Sequence, residues 1–383
     1  MFAPVPNFKG LNNVSDPLKL DWSHLTRADN IEITDEGTIQ RARGYSATGY
    51  VASAIAGAYA TEDFQRLYVI DGGELRALNP GLGSYAVLAT GLSSAPAYFA
   101  EANGQVFFSN GTDYGWIVGS EYRSWALPLP AGPSVGVSSG SLVEGRYRVT
   151  CTFTAADGRE SGNGDVVSMT LPNNAALNIS APQADGYTTS IYVTRKDGTV
   201  FYLLAQGSNA IYSGSPNQLG VELRFPDVSP PRGLMPAFYG GRVYLGEYFP
   251  TGDLSVLWPS LPLAYHHFRY GDGIAVPGEL RVVCGTEALL AIATDRGIYE
   301  WDGQLKLVAP FGVPPGFHAC KHRGRVYIWT LRGAARLGPF ENLTGANISV
   351  APGLFAGGCV IEQQGMRRYV VALRKGGNAF NPG

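Results

Sequence analysis

The sequence has few charged residues and no long apolar run. Lys, Arg, Asp and Glu make up 16% of the 383 residues, whereas hydrophobic residues make up 45%. No stretch of about 18 uninterrupted apolar residues occurs, so we expect no membrane-spanning helix. The apolar fraction is high enough to build a folded core, which excludes a disordered chain. Residues 1–6 contain no basic segment followed by an apolar one, so we expect no secretory signal.

Cysteine is also scarce, and its spacing excludes the common cysteine motifs. The four cysteines, Cys151, Cys284, Cys320 and Cys359, lie far apart, and no C-x-x-C occurs. This argues against a zinc ribbon and against a thioredoxin-like redox motif. We therefore expect reduced and mostly buried thiols in a protein that is made in a cytoplasm.

Recognisable catalytic motifs are missing. The sequence has no G-x-S-x-G elbow, no phosphate-binding P-loop and no H-E-x-x-H helix. His318, Cys320 and His322 would share one face of a strand, but the two histidines would then stand about 13 Å apart, too far to share one metal ion. His266 and His267 would point to opposite faces of a strand. We therefore predict a protein that is not an enzyme, without catalytic residues, metal or cofactor.

A short apolar-aromatic phrase recurs along the chain. Neighbouring copies are about 37 to 46 residues apart, except for one gap of about 137. A period near 40 with glycine-rich turns and no helical pattern is typical of β-propeller blades. The six copies are at Leu67-Tyr68, Val106-Phe107, Val243-Tyr244, Leu289-Leu290, Val326-Tyr327 and Arg368-Tyr369.

The long gap is one ordinary spacing plus the length of a small domain. Proline- and glycine-rich segments bound it, and six or seven short alternating strands are expected inside it. The predicted fold is therefore all-β: a β-propeller of about six blades with an inserted immunoglobulin- or fibronectin-like β-sandwich. We divide the chain into an arm with a propeller-closing hairpin (1–50, hairpin at 31–43), the first part of the propeller (51–130), the sandwich (131–232) and the second part of the propeller (233–383).

Positive charge is concentrated near the end of the chain. Residues 317–383 contain nine Lys or Arg and two acidic residues, whereas the rest of the chain has a net charge of −9. Such asymmetry can mark a face that meets nucleic acid or an acidic partner, or it can be a solvated face without a ligand. The candidate DNA- or subunit-facing residues are Lys321, Arg323, Arg325, Arg332, Arg336, Arg367 and Arg368.

The N-terminal arm resembles that of a known family. Asn7-Phe8, Gly10-Leu11-Asn12, Pro17-Leu18, Gly37 and Arg41-x-Arg43-Gly44-Tyr45 are similar to the opening of tail nozzle or hub proteins of short-tailed bacteriophages, also called packaged-DNA stabilisation proteins. Ala42 departs from the Arg-Arg pattern of that family. The segments around Tyr147, Asp157-Gly158 and Tyr187 resemble the sandwich that is inserted in many such proteins.

The resemblance implies a structural virion protein of the viral tail. Such proteins form a ring, usually a homo-hexamer, at the distal end of the tail. They dock on the head–tail adaptor, carry tail fibres or spikes, retain packaged DNA and let double-stranded DNA pass through the lumen during ejection. We expect the same localisation, partners and role for this chain.

Two other functions stay open at this point. One is a receptor- or glycan-binding tail component, in which Trp116, Trp125, Trp258, Trp301 and Trp329 could stack on sugars instead of packing between blades. The other is a propeller glycosidase. The sequence contains no obvious pair of catalytic carboxylates, but carboxylates from distant blades could assemble into one.

Overall fold

The computed structural model describes residues 7–34, 37–42, 49–79, 81, 83–363 and 366–374. Strands dominate these residues, and the helices among them are single 3-10 turns at Pro17–Lys19, Pro216–Gln218 and Pro250–Gly252. None of these helices has the length and apolar character that crossing a membrane requires.

The N-terminal arm contains four short strands, β1 (Gly10–Leu11), β2 (His24–Leu25), β3 (Ile31–Ile33) and β4 (Ile39–Arg41). Strands β1 and β2 pair in parallel, and β3 and β4 form an antiparallel hairpin. The hairpin lies where the sequence predicts it, although Arg43 is outside the described residues.

Two four-stranded antiparallel sheets follow the arm. The first blade consists of β5 (Ile55–Ala60), β6 (Leu67–Asp71), β7 (Glu74–Leu78) and β8 (Tyr85–Ala89). The second consists of β9 (Tyr98–Ala102), β10 (Gln105–Ser109), β11 (Tyr114–Val118) and β12 (Glu121–Ser124). Gly72 and Gly73 both have positive φ in the β6–β7 turn. A two-residue hairpin turn whose twist matches that of the flanking strands requires positive φ at both residues.

The inserted sandwich comprises seven strands in two sheets. Its strands are β13 (Ser134–Leu142), β14 (Gly145–Ala155), β15 (Val167–Leu171), β16 (Ala175–Ser180), β17 (Tyr187–Thr194), β18 (Phe201–Gln206) and β19 (Asn209–Tyr212). One sheet has the order β13-β16-β19 and the other β15-β14-β17-β18. Val149, Leu177 and Ile191 are fully buried between the sheets, as in an immunoglobulin-like fold.

The propeller resumes with three more blades. The third contains β20 (Leu234–Tyr239), β21 (Arg242–Phe249), β22 (Leu254–Leu261), β23 (Ala264–Phe268) and β24 (Ile274–Pro277). The fourth contains β25 (Leu280–Gly285), β26 (Leu290–Thr294), β27 (Ile298–Trp301) and β28 (Leu305–Ala309). After β29 (Gly316–Phe317), the fifth contains β30 (Cys320–His322), β31 (Arg325–Thr330), β32 (Gly333–Leu337) and β33 (Glu341–Asn342).

The sixth unit is a long hairpin of β34 (Phe355–Gln363) and β35 (Met366–Arg374), and β29 pairs in parallel with β34. The fold is thus a β-propeller of five multi-stranded blades and a shorter sixth, with a β-sandwich inserted between the second and third blades. Each recurring phrase of the sequence falls at or within the second strand of its blade, namely β6, β10, β21, β26, β31 or β35.

Apolar clusters between neighbouring blades form the core of the propeller. Phe107 and Trp125 of the second blade pack against Val243 and Phe268 of the third. Trp329 of the fifth blade packs against Ala356 of the sixth. Trp125 and Trp329 are both buried and donate their indole N–H groups to backbone carbonyls, so these two tryptophans pack within the propeller.

The closing hairpin differs from the sequence prediction. Strands β3 and β4 form their own two-stranded sheet, and no ladder joins them to β34 or β35 among the described residues. The contact is instead an ion pair of 2.7 Å between Glu32 and Arg368. The backbone ladder of β35 among the described residues is with β34, so the arm is attached through side chains rather than through a shared sheet.

A buried carboxylate fixes the segment that leads into the first blade. Asp71 is fully buried and accepts hydrogen bonds from the backbone N–H groups of Ser53 and Ala54 and from the Tyr50 hydroxyl. It also pairs with Arg76 at 2.7 Å. Burial by itself would raise the pKa of Asp71, but these hydrogen bonds lower it well below its usual range.

We expect Asp71→Ala to lower the free energy of unfolding by about 2–5 kcal/mol, because it leaves the backbone N–H groups of Ser53 and Ala54 without their acceptor, whereas Arg76 keeps Glu74 as a partner. Asp302→Ala, which breaks a half-exposed pair with Lys306, should cost much less, because exposed ion pairs contribute little to stability. Chemical denaturation of the two variants measures the difference. Equal losses would show that Asp71 does not organise this region.

Candidate functional site

The N-terminal arm presents two large apolar side chains on a loop with a fixed backbone. Asn12 accepts hydrogen bonds from the N–H groups of Val14 and Ser15, and Asp16 caps the 3-10 turn at the N–H of Leu18. Leu18 is nevertheless 94% exposed and Trp22 60% exposed. Large apolar side chains held out to solvent on an ordered loop are typical of a protein contact site.

Further contacts fix the base of this loop. Asp21 accepts a 2.8 Å hydrogen bond from Lys9 and hydrogen bonds from Ser23, and these lower its pKa to about 2. The side chain of Asn13 bonds the backbone of Ser349, which follows the fifth blade. The loop therefore has a defined position on the propeller.

The first strands of the blades surround the propeller axis. Contacts between neighbouring blades run through these strands, from β5 to β9, from β9 to β20 and from β20 to β25. Their far ends surround a cavity of about 280 Å³. Its lining includes one or more residues from each of the first five blades: Glu62, Glu101, Asn103, Tyr239, Thr286, Glu287 and Lys321.

An ion pair spans this cavity, which we call the far axial cavity. Lys321 of the fifth blade bonds Glu62 of the first at 2.8 Å, and Glu101 accepts from the Glu62 N–H at 2.9 Å. Tyr59 stands below them, and burial together with Glu101 and Glu62 raises its pKa well above its usual range. Three carboxylates and one ammonium group thus meet at the axis, although they are far apart in sequence.

The basic residues predicted from the sequence are largely neutralised by carboxylates of the same chain. Arg323 contacts both oxygens of Glu362, at 2.9 and 3.2 Å. Arg336 pairs with Glu341, and Arg368 pairs with Glu32. Together with Lys321, four of the seven predicted residues therefore have an acidic partner, so this region is not a continuous positive surface.

The remaining three predicted residues have different surroundings. Arg332 lies over the ring of Phe311, 4.7 Å from its centroid. Arg325 is half-buried in β31, where it faces His322 of β30, and its side chain has no hydrogen bond or ion pair to another described residue. Arg367 lies in β35, and its side chain is outside the described part of the chain.

His318 is a packed residue outside the strand that the sequence predicted for it. It precedes β30, is fully buried, and donates from Nε2 to the carbonyl of Pro314 at 2.9 Å. Its Nδ1 accepts from the Trp329 N–H at 3.2 Å. Burial lowers its pKa to about 4. No group of three potential metal ligands occurs among the described residues.

The prediction that His266 and His267 point apart is wrong. Their ring centroids are only 4.0 Å from each other. The reason is a register shift in the β22–β23 pairing, where Ser260 faces Phe268 but Leu261 faces Ala264, so the regular alternation of the strand is lost.

These histidines belong to the joint between the sandwich and the propeller. His267 Nε2 lies 2.6 Å from the carbonyl oxygen of Glu160 in the sandwich. Arg159 is mostly buried, pairs with Asp157 at 2.8 Å and stacks on Trp116 of the second blade at 4.4 Å. The joint is therefore built from specific contacts rather than from a flexible linker alone.

Comparisons with known proteins identify no family. No family model matches the chain, and no curated protein matches it. Solved structures do match. PorZ of Porphyromonas gingivalis is 10% identical in sequence; the match covers 87% of this chain and 52% of PorZ, with a TM-score of 0.21. AztD of Citrobacter koseri is 14% identical; the match covers 76% of this chain and 84% of AztD, with a TM-score of 0.27. Dipeptidyl peptidase 4 of P. gingivalis is 10% identical; the match covers 79% of this chain and 46% of the peptidase, with a TM-score of 0.28.

This chain thus corresponds to about half the length of PorZ and of that peptidase. Similarity of this size supports no conclusion about function, so the function has to be argued from the surfaces of the protein.

We expect the neutral state of His318 to make stability depend on pH. The unfolded histidine, with a pKa near 6.5, binds a proton before the folded one does, so stability falls as the pH falls from about 6.5 to about 4. The loss should approach about 3 kcal/mol. In His318→Gln, the fall in urea midpoint between these pH values should shrink, although His266 and His267, whose pKa values burial also lowers, retain part of it. An unchanged pH profile would contradict the assignment.

Proposed function

We propose that this protein is a structural component of a phage tail, of the nozzle or hub type, and that several copies assemble into a closed ring. The observation that carries this proposal is the ordered arm loop with Leu18 and Trp22 exposed. The same arm bears the sequence resemblance to tail nozzle proteins. A hexamer at the distal end of the tail, docked on the head–tail adaptor, is the assembly that we propose.

The shape of the contact supports a ring. In this proposal, the arm loop of one copy binds a different surface of the next copy. Such a head-to-tail contact repeats from copy to copy and closes into a ring when the rotation permits. The sandwich, fixed by Arg159 and His267, offers a second rigid surface for neighbouring copies, fibres or spikes.

The DNA path in this proposal lies between subunits and not along the axis of one propeller. The ion pair of Glu62 and Lys321 crosses one end of that axis, and aromatic side chains cross towards the other. The paired basic residues are compatible with a passage for DNA, because each phosphate that is firmly neutralised adds affinity and would slow ejection.

We expect the double variant Leu18→Ser/Trp22→Ser to need a protein concentration about 100-fold higher or more to form rings. The reason is that burial of each such side chain contributes about 1.5–3 kcal/mol. Leu307→Ser, at an exposed position of β28, is the matched control and should assemble normally. Light scattering after size-exclusion chromatography and negative-stain imaging give the readout. Rings that persist in the double variant, or a wild-type protein that stays monomeric, would contradict the proposal.

A second candidate function is glycan hydrolysis at the far axial cavity. Its support is the meeting of Glu62, Glu101 and Glu287 from three different blades. Paired carboxylates are what glycoside cleavage requires. If this candidate is right, wild-type protein releases reducing sugar from an array of bacterial surface glycans, Glu101→Gln abolishes release, and the exposed control Glu121→Gln does not. An array without any release rejects this candidate and leaves the ring proposal untouched.

A further inference from the structure

Two cysteines lie on neighbouring strands of the fifth blade and the sixth unit. Cys320 is the first residue of β30, and Cys359 lies in the middle of β34. Cys320 is half-buried, whereas Cys359 is exposed. Of the other two cysteines, Cys151 is in the core of the sandwich and Cys284 is in the fourth blade. The fold thus brings together two thiols that are far apart in sequence.

The two segments that carry these thiols run side by side. Gly316–Phe317 pairs with Ala356–Gly357 in the parallel β29–β34 ladder. Further along both segments, Arg323 contacts the two carboxylate oxygens of Glu362 at 2.9 and 3.2 Å. Each cysteine lies between these two sets of contacts, so the position of one relative to the other is fixed from both sides.

The sulfur of Cys320 contacts the backbone next to Cys359. Its Sγ accepts a hydrogen bond from the N–H of Val360 at 3.4 Å. The Cα of Cys359 is two covalent bonds from that nitrogen, so it lies within about 6 Å of Cys320 Sγ. A disulfide joins residues whose Cα atoms are about 4.4–6.8 Å apart, a separation that this contact permits. The exposed side chain of Cys359 has room to rotate towards Cys320.

The electrostatic surroundings agree with this proximity. Burial raises the pKa of the Cys320 thiol, the N–H of Val360 lowers it, and the Cys359 thiol raises it. Burial also raises the pKa of Tyr369 in β35, and both cysteines raise it further. Because the thiolate is the nucleophile, the buried Cys320 reacts slowly, and the exposed Cys359 is the thiol that a small oxidant reaches first.

We propose that Cys320 and Cys359 form a reversible disulfide that holds the β34–β35 hairpin on the fifth blade. The oxidant is a low-molecular-weight disulfide such as oxidised glutathione. The Cys359 thiolate attacks one sulfur of this molecule, forms a mixed disulfide and releases one small thiolate. Cys320 then loses its proton to solvent, and its thiolate attacks the Cys359 sulfur and releases the second small thiolate. Two protein thiols are oxidised, and one small disulfide is reduced to two thiols.

The surrounding compartment decides the state of this pair. Thiols stay reduced in a cytoplasm and are oxidised outside it. The pair therefore stays open while the chain is made, and it closes once an assembled particle leaves the cell. This timing rests on the proposed function, whereas the disulfide itself rests only on the positions of the two cysteines.

The test incubates full-length protein with oxidised glutathione at mildly alkaline pH, alkylates the remaining thiols and maps the peptides by mass spectrometry without reductant. We expect one linked pair of peptides, containing Cys320 and Cys359, and the loss of two of the four free thiols. The oxidised protein should melt about 3 °C or more above the reduced protein, because a closed loop of this length constrains the unfolded chain.

Two variants provide the comparison. Cys359→Ala changes an exposed side chain, so it should fold normally, form no such disulfide and melt at the same temperature with and without oxidant. Cys284→Ala is the matched control, because Cys284 is the other thiol near Cys320, and it should keep the disulfide.

The proposal would be overturned by a disulfide between Cys284 and Cys320, by a dimer linked through Cys359, or by thiols that stay free or carry only glutathione. A disulfide that leaves the melting temperature unchanged would also contradict it. Ring assembly is measured separately with the arm variant, so a failure here leaves the proposed function standing, and the converse also holds.

Discussion

The fold depends on closure of the propeller ring. Each blade has two faces that need a neighbour, and only a closed circle of blades supplies one for every sheet. The contact of Lys321 with Glu62 joins the fifth blade to the first across the axis, and Glu32 with Arg368 joins the arm to the last hairpin. At this closure the outward faces stay partly open, since Tyr85 and Val87 of the first blade and Val370 of the sixth are 36–46% exposed. Among the described residues, apolar clusters join successive blades from the first to the sixth, whereas ion pairs join the first blade to the fifth and the arm to the sixth.

The blade order could be predicted from the sequence because one strand type repeats. Val243-Tyr244 and Val326-Tyr327 occupy the second strand of their blades, which packs on both sides and so needs the same apolar residues each time. The inserted sandwich could also be predicted, because short alternating strands fill the long gap between two copies of the repeat. Closure could not be predicted in the same way. Whether residues 31–41 share a ladder with β35 or only touch it through Arg368 depends on backbone hydrogen bonds that the residue pattern does not encode.

The candidate sites were much less predictable, because they depend on pairs of distant residues. Counting charges identified a basic segment, but Lys321 finds its partner 259 residues away, at Glu62, and Arg368 finds its partner in the arm. The prediction for His266 and His267 failed because side chains alternate between the two faces of a strand only where its pairing register is regular. A sequence pattern shows which residues are periodic but not where the period breaks.

The same constraint connects the fold to the proposed roles. Among the described residues, the ion pair of Lys321 and Glu62 crosses one end of the axis, and the rings of Tyr98 and Phe317 are in contact towards the other end. In the proposed assembly, duplex DNA therefore passes outside the propeller. Larger partners must bind to the rim, the sandwich or the arm. Arg159 stacks on Trp116 and His267 contacts the Glu160 carbonyl, so specific contacts fix the sandwich on the propeller. A rigid propeller, a rigid side domain and an ordered arm with Leu18 and Trp22 exposed are the parts that a closed assembly needs, because small angular errors at each contact would add up around a ring and prevent it from closing.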